Sequence, residues 1–442
     1  MFPTKSRAWM LAFSMSCLGS FTPLVHAATT LTVATVNNRQ MVEMRKLAPA
    51  FETANPDIRL NWVTMEEATL RQRVSADVSQ GTGAFDVVTI GMYETPIWAK
   101  KGWLREITPS DAYNVKDLIP TVRDGLSYNK KLYAAPFYGE GSMTLFRTDL
   151  LSKAGLSIVG RPTWEQIREA AAKIHNPAAG VYGICLRGRA GWGDNMALLS
   201  TMVNTFGGQW FDMGWTPTIN TPAWQAAVAF YVDLLTRYGP PGAADNSFNE
   251  NLTLFSQGKC GIWVDATSAG TALVDPKFSR VAEQTGFAMA PVAVTTRGAG
   301  WLWAWALAIP TSSQNQEAGQ RFVQWATSQE YLSLVAKTSG WAAMPSGTRL
   351  STYRHGEFVK QARFAMTEAI AMVTADPTHP TLQPVPYVGV QFVGIPEFQE
   401  VGNLTGEEIH QALLGKQTVA QALARAQTQT ERLMRDAGYA KK

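Results

Sequence analysis

The chain has 442 residues, of which 46% are hydrophobic and 17% are charged, and its formal net charge is +4. A charge this small argues against nucleic acid as a partner. The length predicts two or three domains. The 15 tryptophans, 12 tyrosines and 19 phenylalanines favour a neutral, partly polar ligand, although a large aromatic core would give the same composition.

Residues 1–27 have the pattern of a secretory signal peptide. Lys5 and Arg7 precede a mostly apolar segment at 8–21, and small residues stand at the two positions that a signal peptidase reads before a cut after Ala27. The mature chain is therefore predicted to be exported and soluble. Its formal charge would be +2, since cleavage removes two of the cations behind the value of +4.

Two other features bear on the membrane. Cys17 would permit a lipoprotein anchor, but the residues before it match that pattern poorly. The uncharged run at 298–310 is shorter than the roughly 20 residues that a spanning helix needs. We therefore expect no membrane insertion.

The first part of the mature chain alternates strands and helices. In chain order the pattern predicts a strand at 31–36, a helix at 41–53, a strand at 58–65, a helix at 70–79 and a strand at 85–90. This order predicts a parallel sheet with right-handed crossovers.

A second α/β unit is predicted after an extended segment at 133–137. A capping box at 163–166 opens a helix to residue 174, and the later elements are strands at 181–187, 260–265 and 286–289 and helices at 221–238, 314–328, 330–337, 407–414 and 419–437. The fold class is thus α/β with two units. In open α/β sheets ligands bind at the carboxyl ends of the strands, which predicts a site in the cleft between the units.

Two cysteines, Cys185 and Cys260, remain after removal of the signal peptide. In an oxidising compartment they could form a disulfide. Two buried free thiols fit the sequence equally well, because spacing alone gives no geometry.

Polar and aromatic side chains follow several predicted strands. Asn38 leaves the first strand, where it would also make a good helix N-cap. Tyr93 and Glu94 leave the strand at 85–90, and Glu140 lies between two glycines just after Tyr138. Turns and caps do not need all of these side chains, so we expect them at the cleft.

The glycine-rich stretch at 187–195 suits recognition of a polyhydroxyl ligand. Arg187 and Asp194 can bind hydroxyl groups, and Trp192 can pack against C–H surface. The spacing of a phosphate-binding loop is absent. Asp265 follows another strand and is a further candidate acceptor.

The stretch GAGWLWAWALAIP at 298–310 has tryptophan at every second position. In a strand this period puts Trp301, Trp303 and Trp305 on one face. We expect Trp301 to contact ligand, Trp303 to reach the cleft, and Trp305 to belong to the core.

These segments resemble the extracellular solute-binding proteins of ABC transporters, the large family that includes maltose-binding protein, and in particular its sorbitol/mannitol-binding branch. The resemblance covers essentially the whole mature chain. It is carried by PAFETANPDIRLNW (49–62), FDVVTIGMYETPIWAKKGWL (85–104), YAAPFYGEGSM (133–143), YGICLRGRAGWGDNMA (182–197), WVDAT (263–267), WLWAWALAIP (301–310), GWAAMPSGTR (340–349) and GIPEFQEVGNL (394–404).

The resemblance implies a two-lobe periplasmic-binding-protein fold of type II, each lobe a mostly parallel sheet flanked by helices. Lobe 1 would comprise residues 28–137 plus 303–342, and lobe 2 residues 138–302 plus 343–442, joined by hinge strands. A hexitol such as sorbitol or mannitol would close the cleft, and the closed form would dock on a membrane permease. The implied ligand contacts are Asn38, Tyr93, Glu94, Tyr138, Glu140, Arg187, Trp192, Asp194, Asp265, Trp301, Trp303 and Trp341.

Three residues near the proposed cleft depart from the branch pattern. Asp194 stands where the longer Glu is expected, Gly141 where Ser is expected, and Arg39 where a smaller residue is usual. These departures bear on the exact polyol more than on the class of ligand.

Alternatives remain open on the sequence alone. The same fold could bind another mono- or oligosaccharide. An exported carbohydrate-active enzyme would need a pair of carboxylates across one bond, and nothing in the sequence assigns such a pair. A metal carrier is disfavoured because the histidines are widely spaced. We expect a monomer that is not an enzyme and uses no cofactor.

Overall fold

The computed structural model describes residues 1–3 and 28–439. The predicted signal peptide at 1–27 therefore lies, apart from its first three residues, outside the described residues. No helix in the described part of the chain is both long enough and apolar enough to span a bilayer.

Strands and helices alternate along most of the chain. The strands are Thr29–Val36 (β1), Ile58–Met65 (β2), Val87–Ile90 (β3), Ser127–Tyr128 (β4), Lys131–Leu132 (β5), Ala134–Glu140 (β6), Ser142–Arg147 (β7), Tyr182–Cys185 (β8), Cys260–Ala266 (β9), Thr285–Met289 (β10) and Trp303–Ala308 (β11). The helices are Arg39–Ala54 (α1), Glu67–Gln80 (α2), Glu94–Lys100 (α3), Pro120–Gly125 (α4), Thr148–Lys153 (α5), Trp164–Ile174 (α6), Asn195–Thr205 (α7), Pro222–Tyr238 (α8), Phe248–Ser256 (α9), Gly270–Leu273 (α10), Gln316–Ala326 (α11), Gln329–Ser339 (α12), Gly356–Gln361 (α13), Ala365–Thr374 (α14), Phe398–Leu413 (α15) and Val419–Asp436 (α16).

The first sheet has the strand order β2-β1-β3-β11-β6. β2, β1 and β3 are parallel, and β11 is antiparallel to both of its neighbours, so β6 runs in the direction of β1. Helices α1, α2 and α11 pack against these strands. Every residue of β3 is buried, as expected for a strand that is covered on both faces.

The second sheet has the strand order β10-β7-β9-β8. β8 and β9 are parallel, and β7 is antiparallel to β9 and β10. Helices α6 and α8 pack on β8, α9 packs on β9, and α14 contacts β7 and β10. One strand therefore runs against the rest in each sheet. Two of the four neighbouring pairs in the first sheet and two of the three in the second are antiparallel, so both sheets are mixed where mostly parallel sheets were expected.

The chain first passes between the sheets at Gly141, which separates β6 from β7. Residues 138–140, which the sequence assigns to lobe 2, extend β6 in the first sheet, where Glu140 pairs with Trp303. A Cβ atom at Gly141 would lie 2.8 Å from Cβ of Ala371 in α14. The link is therefore packed too tightly for the expected serine without a local shift.

Local sequence signals locate several elements well. β2 spans the predicted residues, and the capping box of α6 is present: Thr163 Oγ1 accepts from the Gln166 amide at 3.1 Å, and Gln166 Oε1 accepts from the Thr163 amide at 2.8 Å. By contrast, α7 gives no helical period in the sequence, because all of its residues are buried. α15 begins nine residues before the predicted start at 407.

Cys185 and Cys260 form a disulfide between β8 and β9, with their Cα atoms 6.1 Å apart. The open question about these two cysteines is thereby answered. The bond joins residues 75 positions apart in sequence and links the strand that precedes Arg187 to the strand that contains Asp265.

Candidate ligand-binding cleft

A cavity of about 100 Å³ lies where the two sheets face each other. Its walls come from the ends of β1 and β6, the start of α2, the loop after β8, the start of α9 and the beginning of β11. A water-sized group needs roughly 10–15 Å³ by this measure, so several such groups fit. Both α/β units contribute to the site, as the topology predicts.

Tryptophans form one wall of this cavity. Trp192, Trp301, Trp303 and Trp305 line it, and the ring centroids of Trp303 lie 5.6 Å from Trp305 and 5.9 Å from Trp192. Gly91 makes room for this wall, since a Cβ there would lie 1.9 Å from the Trp303 ring. Trp305, expected in the core, is buried but also lines the cavity.

Arg71 on α2 is a central side chain that the sequence gives no reason to choose. Its guanidinium carbon lies 4.1 Å from the ring centroid of Trp192 and 4.8 Å from that of Trp305. Arg71 Nη1 donates to Glu94 Oε1 at 2.5 Å, and Nη2 donates to Glu67 Oε1 at 2.9 Å. These bonds hold a buried cation against the aromatic wall.

Arg187 is held in place by Asp265. Arg187 donates to the Asp265 carboxylate at 2.6 and 2.9 Å, and its Nη1 donates to the Gly193 carbonyl at 2.8 Å. Trp263 Nε1 and the Ala266 amide also donate to Asp265, which is fully buried. Burial would lower the pKa of Arg187, but the Asp265 charge outweighs it and raises that pKa.

Two carboxylic acids in the cavity have few protein partners. Ser268 Oγ donates to Glu140 Oε2 at 2.5 Å, and the Ser247 hydroxyl donates to Asp194 Oδ1. Burial raises the pKa of Glu140 to about 8. Burial, followed by the neighbouring Glu67 charge, raises the pKa of Asp194 to about 6. Both groups keep lone pairs that a ligand hydroxyl could use.

Asn38 and Tyr138 form a polar pair on the lobe 1 side. Asn38 Oδ1 accepts from the Met41 amide at 3.0 Å and so caps α1, while its Nδ2 donates to Tyr138 Oη at 2.7 Å. Both side chains line the cavity. Asn38 therefore acts as an N-cap and as part of the cavity wall at once.

Of the predicted site residues, the structure brings together Asn38, Tyr138, Glu140, Arg187, Trp192, Asp194, Trp301 and Trp303. Four others lie elsewhere. Glu94 and Asp265 sit behind the wall, where they bind Arg71 and Arg187. Tyr93 Oη donates to the Ile395 carbonyl at 3.0 Å, which ties it to the segment before α15.

Trp341 is the fourth predicted residue that does not line the cavity. Its ring packs 5.3 Å from His355, against the cluster around α12 and α13. Trp341 begins a 3₁₀ turn at Trp341–Ala343, close after α12.

The other lining side chains were not predicted. Most belong to helix starts or to loops that reach the cleft only in the folded chain, and they include Glu66, Glu67, Arg71, Arg189, Ser247, Phe248, Asn249, Glu250, Ser268 and Gln391. A signal existed for Ser247 and Glu250, which form a capping box. That signal marks a helix start and says nothing of the cleft.

Comparison with known proteins adds independent information. A family model described as bacterial extracellular solute-binding protein matches residues 37–332. A mannitol-binding protein from Pseudomonas aeruginosa is 52% identical over 420 residues, covering 95% of this chain and 96% of that protein.

Solved structures agree with this similarity. An ABC transporter solute-binding protein from Agrobacterium vitis S4, with bound D-mannitol, is 52% identical and has a TM-score of 0.92, covering 94% of this chain and all of that one (100%). The maltose-bound MalE3 of T. maritima is 21% identical with a TM-score of 0.78, covering 92% of this chain and 100% of that chain, and supports the fold alone.

Proposed function

Because the chain belongs to the bacterial extracellular solute-binding proteins, we propose that it captures a hexitol, mannitol or sorbitol, and delivers it to the membrane permease of an ABC transporter. The observation that carries this proposal is the pair Glu140 and Asp194. Each is a buried acid that faces the cavity with a single side-chain donor among the described residues. Such acids suit a ligand rich in hydroxyl groups.

A hexitol has six hydroxyl groups and no charge. Each hydroxyl buried without a partner would cost roughly 1–3 kcal/mol. Glu140 and Asp194 would accept hydrogen bonds, and Asn38 would both donate and accept. Arg71 and Arg187 would donate charge-assisted bonds through guanidinium N–H groups that do not already bond within the protein. The tryptophan wall would pack on the carbon chain and exclude water.

Binding would couple to closure of the two lobes. The cavity takes side chains from both sheets, so a ligand that touches both favours the closed state. We propose lobes with the predicted limits, except that the first link lies at Gly141. Just after the predicted limit between residues 342 and 343, the Ser346 carbonyl accepts from the Gly139 amide of β6 at 2.8 Å, so this segment lies beside the first link.

We further propose that the protein works in the periplasm after cleavage behind Ala27, as a monomer and without chemical change to its ligand. Mass spectrometry of the exported protein tests the cleavage, with Ala28 expected as the first residue. Incubation with polyols and glycosides tests the absence of turnover, and any product would count against it.

The decisive experiment is a calorimetric titration with mannitol, sorbitol, arabitol, glucose and maltose. A hexitol should bind most tightly. If glucose or maltose binds more tightly than both mannitol and sorbitol, the polyol assignment fails and the ligand is instead a saccharide of that kind. Glu140→Ala should weaken hexitol binding in the same assay, while the remote variant Glu169→Ala should not.

A further inference from the structure

An ion pair spans the mouth of the cleft, outside the cavity already described. Arg39 is the first residue of α1 on the lobe 1 side, and Asp275 follows α10 on the lobe 2 side. Arg39 Nη2 lies 2.5 Å from Asp275 Oδ2, and the guanidinium carbon lies 5.2 Å from the Phe278 ring centroid. The two charged residues are 236 positions apart in sequence.

Weaker contacts accompany this pair along the start of α1. Asn249 Nδ2 donates to the Asn37 carbonyl at 3.4 Å. Gln40 Nε2 lies 3.5 Å from the Ser268 carbonyl and from Thr271 Oγ1. Each contact joins α1 or its preceding turn to the second lobe. Asn37 and Asn249 also line the cavity, so these contacts lie at its edge.

Hydrogen bonds within its own turn hold Asp275 in position. Asp275 Oδ1 accepts from the Lys277 amide at 2.9 Å, and its carbonyl accepts from the Ser279 amide at 2.8 Å. Burial acts to raise the pKa of Asp275, but the bonds from Arg39 and Lys277 outweigh it and lower that pKa. The carboxylate is thus charged at neutral pH, and its turn positions it to form the ion pair with Arg39.

The pair stays partly wet, with 33% of the Arg39 side chain and 25% of the Asp275 side chain exposed. Exposed pairs change equilibria by about 1.4- to 5-fold, and salt screens them. Neither residue belongs to the core of a lobe, so the contact contributes to joining the lobes more than to folding either one.

We propose that Arg39 and Asp275 form an electrostatic latch across the cleft mouth, which slows ligand release and makes the release rate depend on ionic strength. The latch rests on the proposed function, since it regulates the same site. It acts by favouring the closed arrangement of the lobes and makes no contact with the ligand.

The test measures D-mannitol release by stopped-flow tryptophan fluorescence in the mature full-length protein. Arg39→Ala and Asp275→Ala should each release mannitol about 1.4- to 5-fold faster at low salt. The double variant should match the singles. The charge exchange Arg39→Asp with Asp275→Arg should restore slow release. Only the wild type and the exchange variant should speed up as the Debye length falls from about 30 Å to about 3 Å.

Arg168→Ala is a matched control. Arg168 pairs with Glu165 at 2.6 Å and lies 5.0 Å from the Phe230 ring centroid, but on α6, away from the cleft. Its release rate and salt dependence should equal those of the wild type. Additive effects of the two single changes, or release rates unaltered by either, would overturn the latch.

Small-angle scattering without ligand gives a second reading. Arg39→Ala should shift the lobes toward a more open arrangement than the wild type, and an identical profile would count against the latch. If neither mannitol nor sorbitol binds the wild type, the proposed function fails and the scattering comparison alone decides the latch; if only sorbitol binds, its release rate replaces that of mannitol. If mannitol binds but release and scattering are unchanged in the variants, only the latch fails.

Discussion

Replacing Asp265 with alanine should both destabilise the protein and weaken ligand binding. Asp265 is fully buried and accepts from Arg187, the Trp263 indole and the Ala266 amide at 2.6 to 3.1 Å. Its removal leaves the buried Arg187 charge without its hydrogen-bonded carboxylate partner. Breaking one partner of a buried pair costs about 3–5 kcal/mol, so the free energy of unfolding should fall by that amount.

The assay is urea unfolding with the disulfide intact, followed by tryptophan fluorescence and circular dichroism. Glu169→Ala is the control, because Glu169 forms a pair of 2.9 Å with Lys173 on the surface of α6. Removing that pair should cost about 0.3–0.5 kcal/mol.

A companion variant separates the effect of the unpaired charge from the effect of the space left by the removed side chain. Asp265→Ala combined with Arg187→Met removes both charges, so it should lose less stability than Asp265→Ala alone. A loss below about 1 kcal/mol for the single change, or a larger loss for the double change, would refute the view that Asp265 neutralises a buried cation.

Three further outcomes are expected. Burial raises the pKa of Glu140 from 4.5 to about 8. Between these pH values the folded protein keeps a proton that the unfolded chain has released. The free energy of unfolding should therefore fall as pH rises from about 4.5 to about 8. Glu140→Gln should flatten that fall in urea titrations at several pH values, and an unchanged slope would exclude Glu140 as its source. Gly91→Ala puts a Cβ atom where the Trp303 ring lies. It should lower the free energy of unfolding by about 1–3 kcal/mol and weaken hexitol binding, both measured beside the wild type. Full retention of stability and binding would show that the ring moves freely. Trp301→Ala should weaken hexitol binding in calorimetry, whereas Trp341→Ala should leave it unchanged, because Trp301 lines the cavity and Trp341 does not. Equal losses of affinity would place Trp341 in the site.

Local sequence signals were sufficient for most of the framework. The residue pattern marked β1, the alternation of apolar and polar residues marked β2, and capping residues marked the start of α6, because short-range hydrogen bonding and burial set these features. They failed for α7, where burial on all sides removes the helical period. The strand-end rule also located most of the candidate site, since parallel strands place their ends at one edge.

Side-chain roles within the site needed the tertiary structure. Asp265 and Glu94 were predicted to contact ligand, but they neutralise Arg187 and Arg71 from behind the wall. Arg71 itself has no sequence signal, because its place against Trp192 depends on the packing of α2 beside a loop of the other lobe. The ends of strands are a local property, whereas the pairing of buried charges depends on which distant residues meet.

The sequence by itself thus predicted the α/β elements, a division into two units and the sheet edge at which we propose that the ligand binds. The folded chain alone decided that Cys185 and Cys260 are joined, that the first link lies at Gly141, and that Arg39 meets Asp275 across the cleft. The physical reason is separation along the chain. Each of these features depends on packing between distant segments, and the local sequence of one segment does not indicate which other segment it contacts.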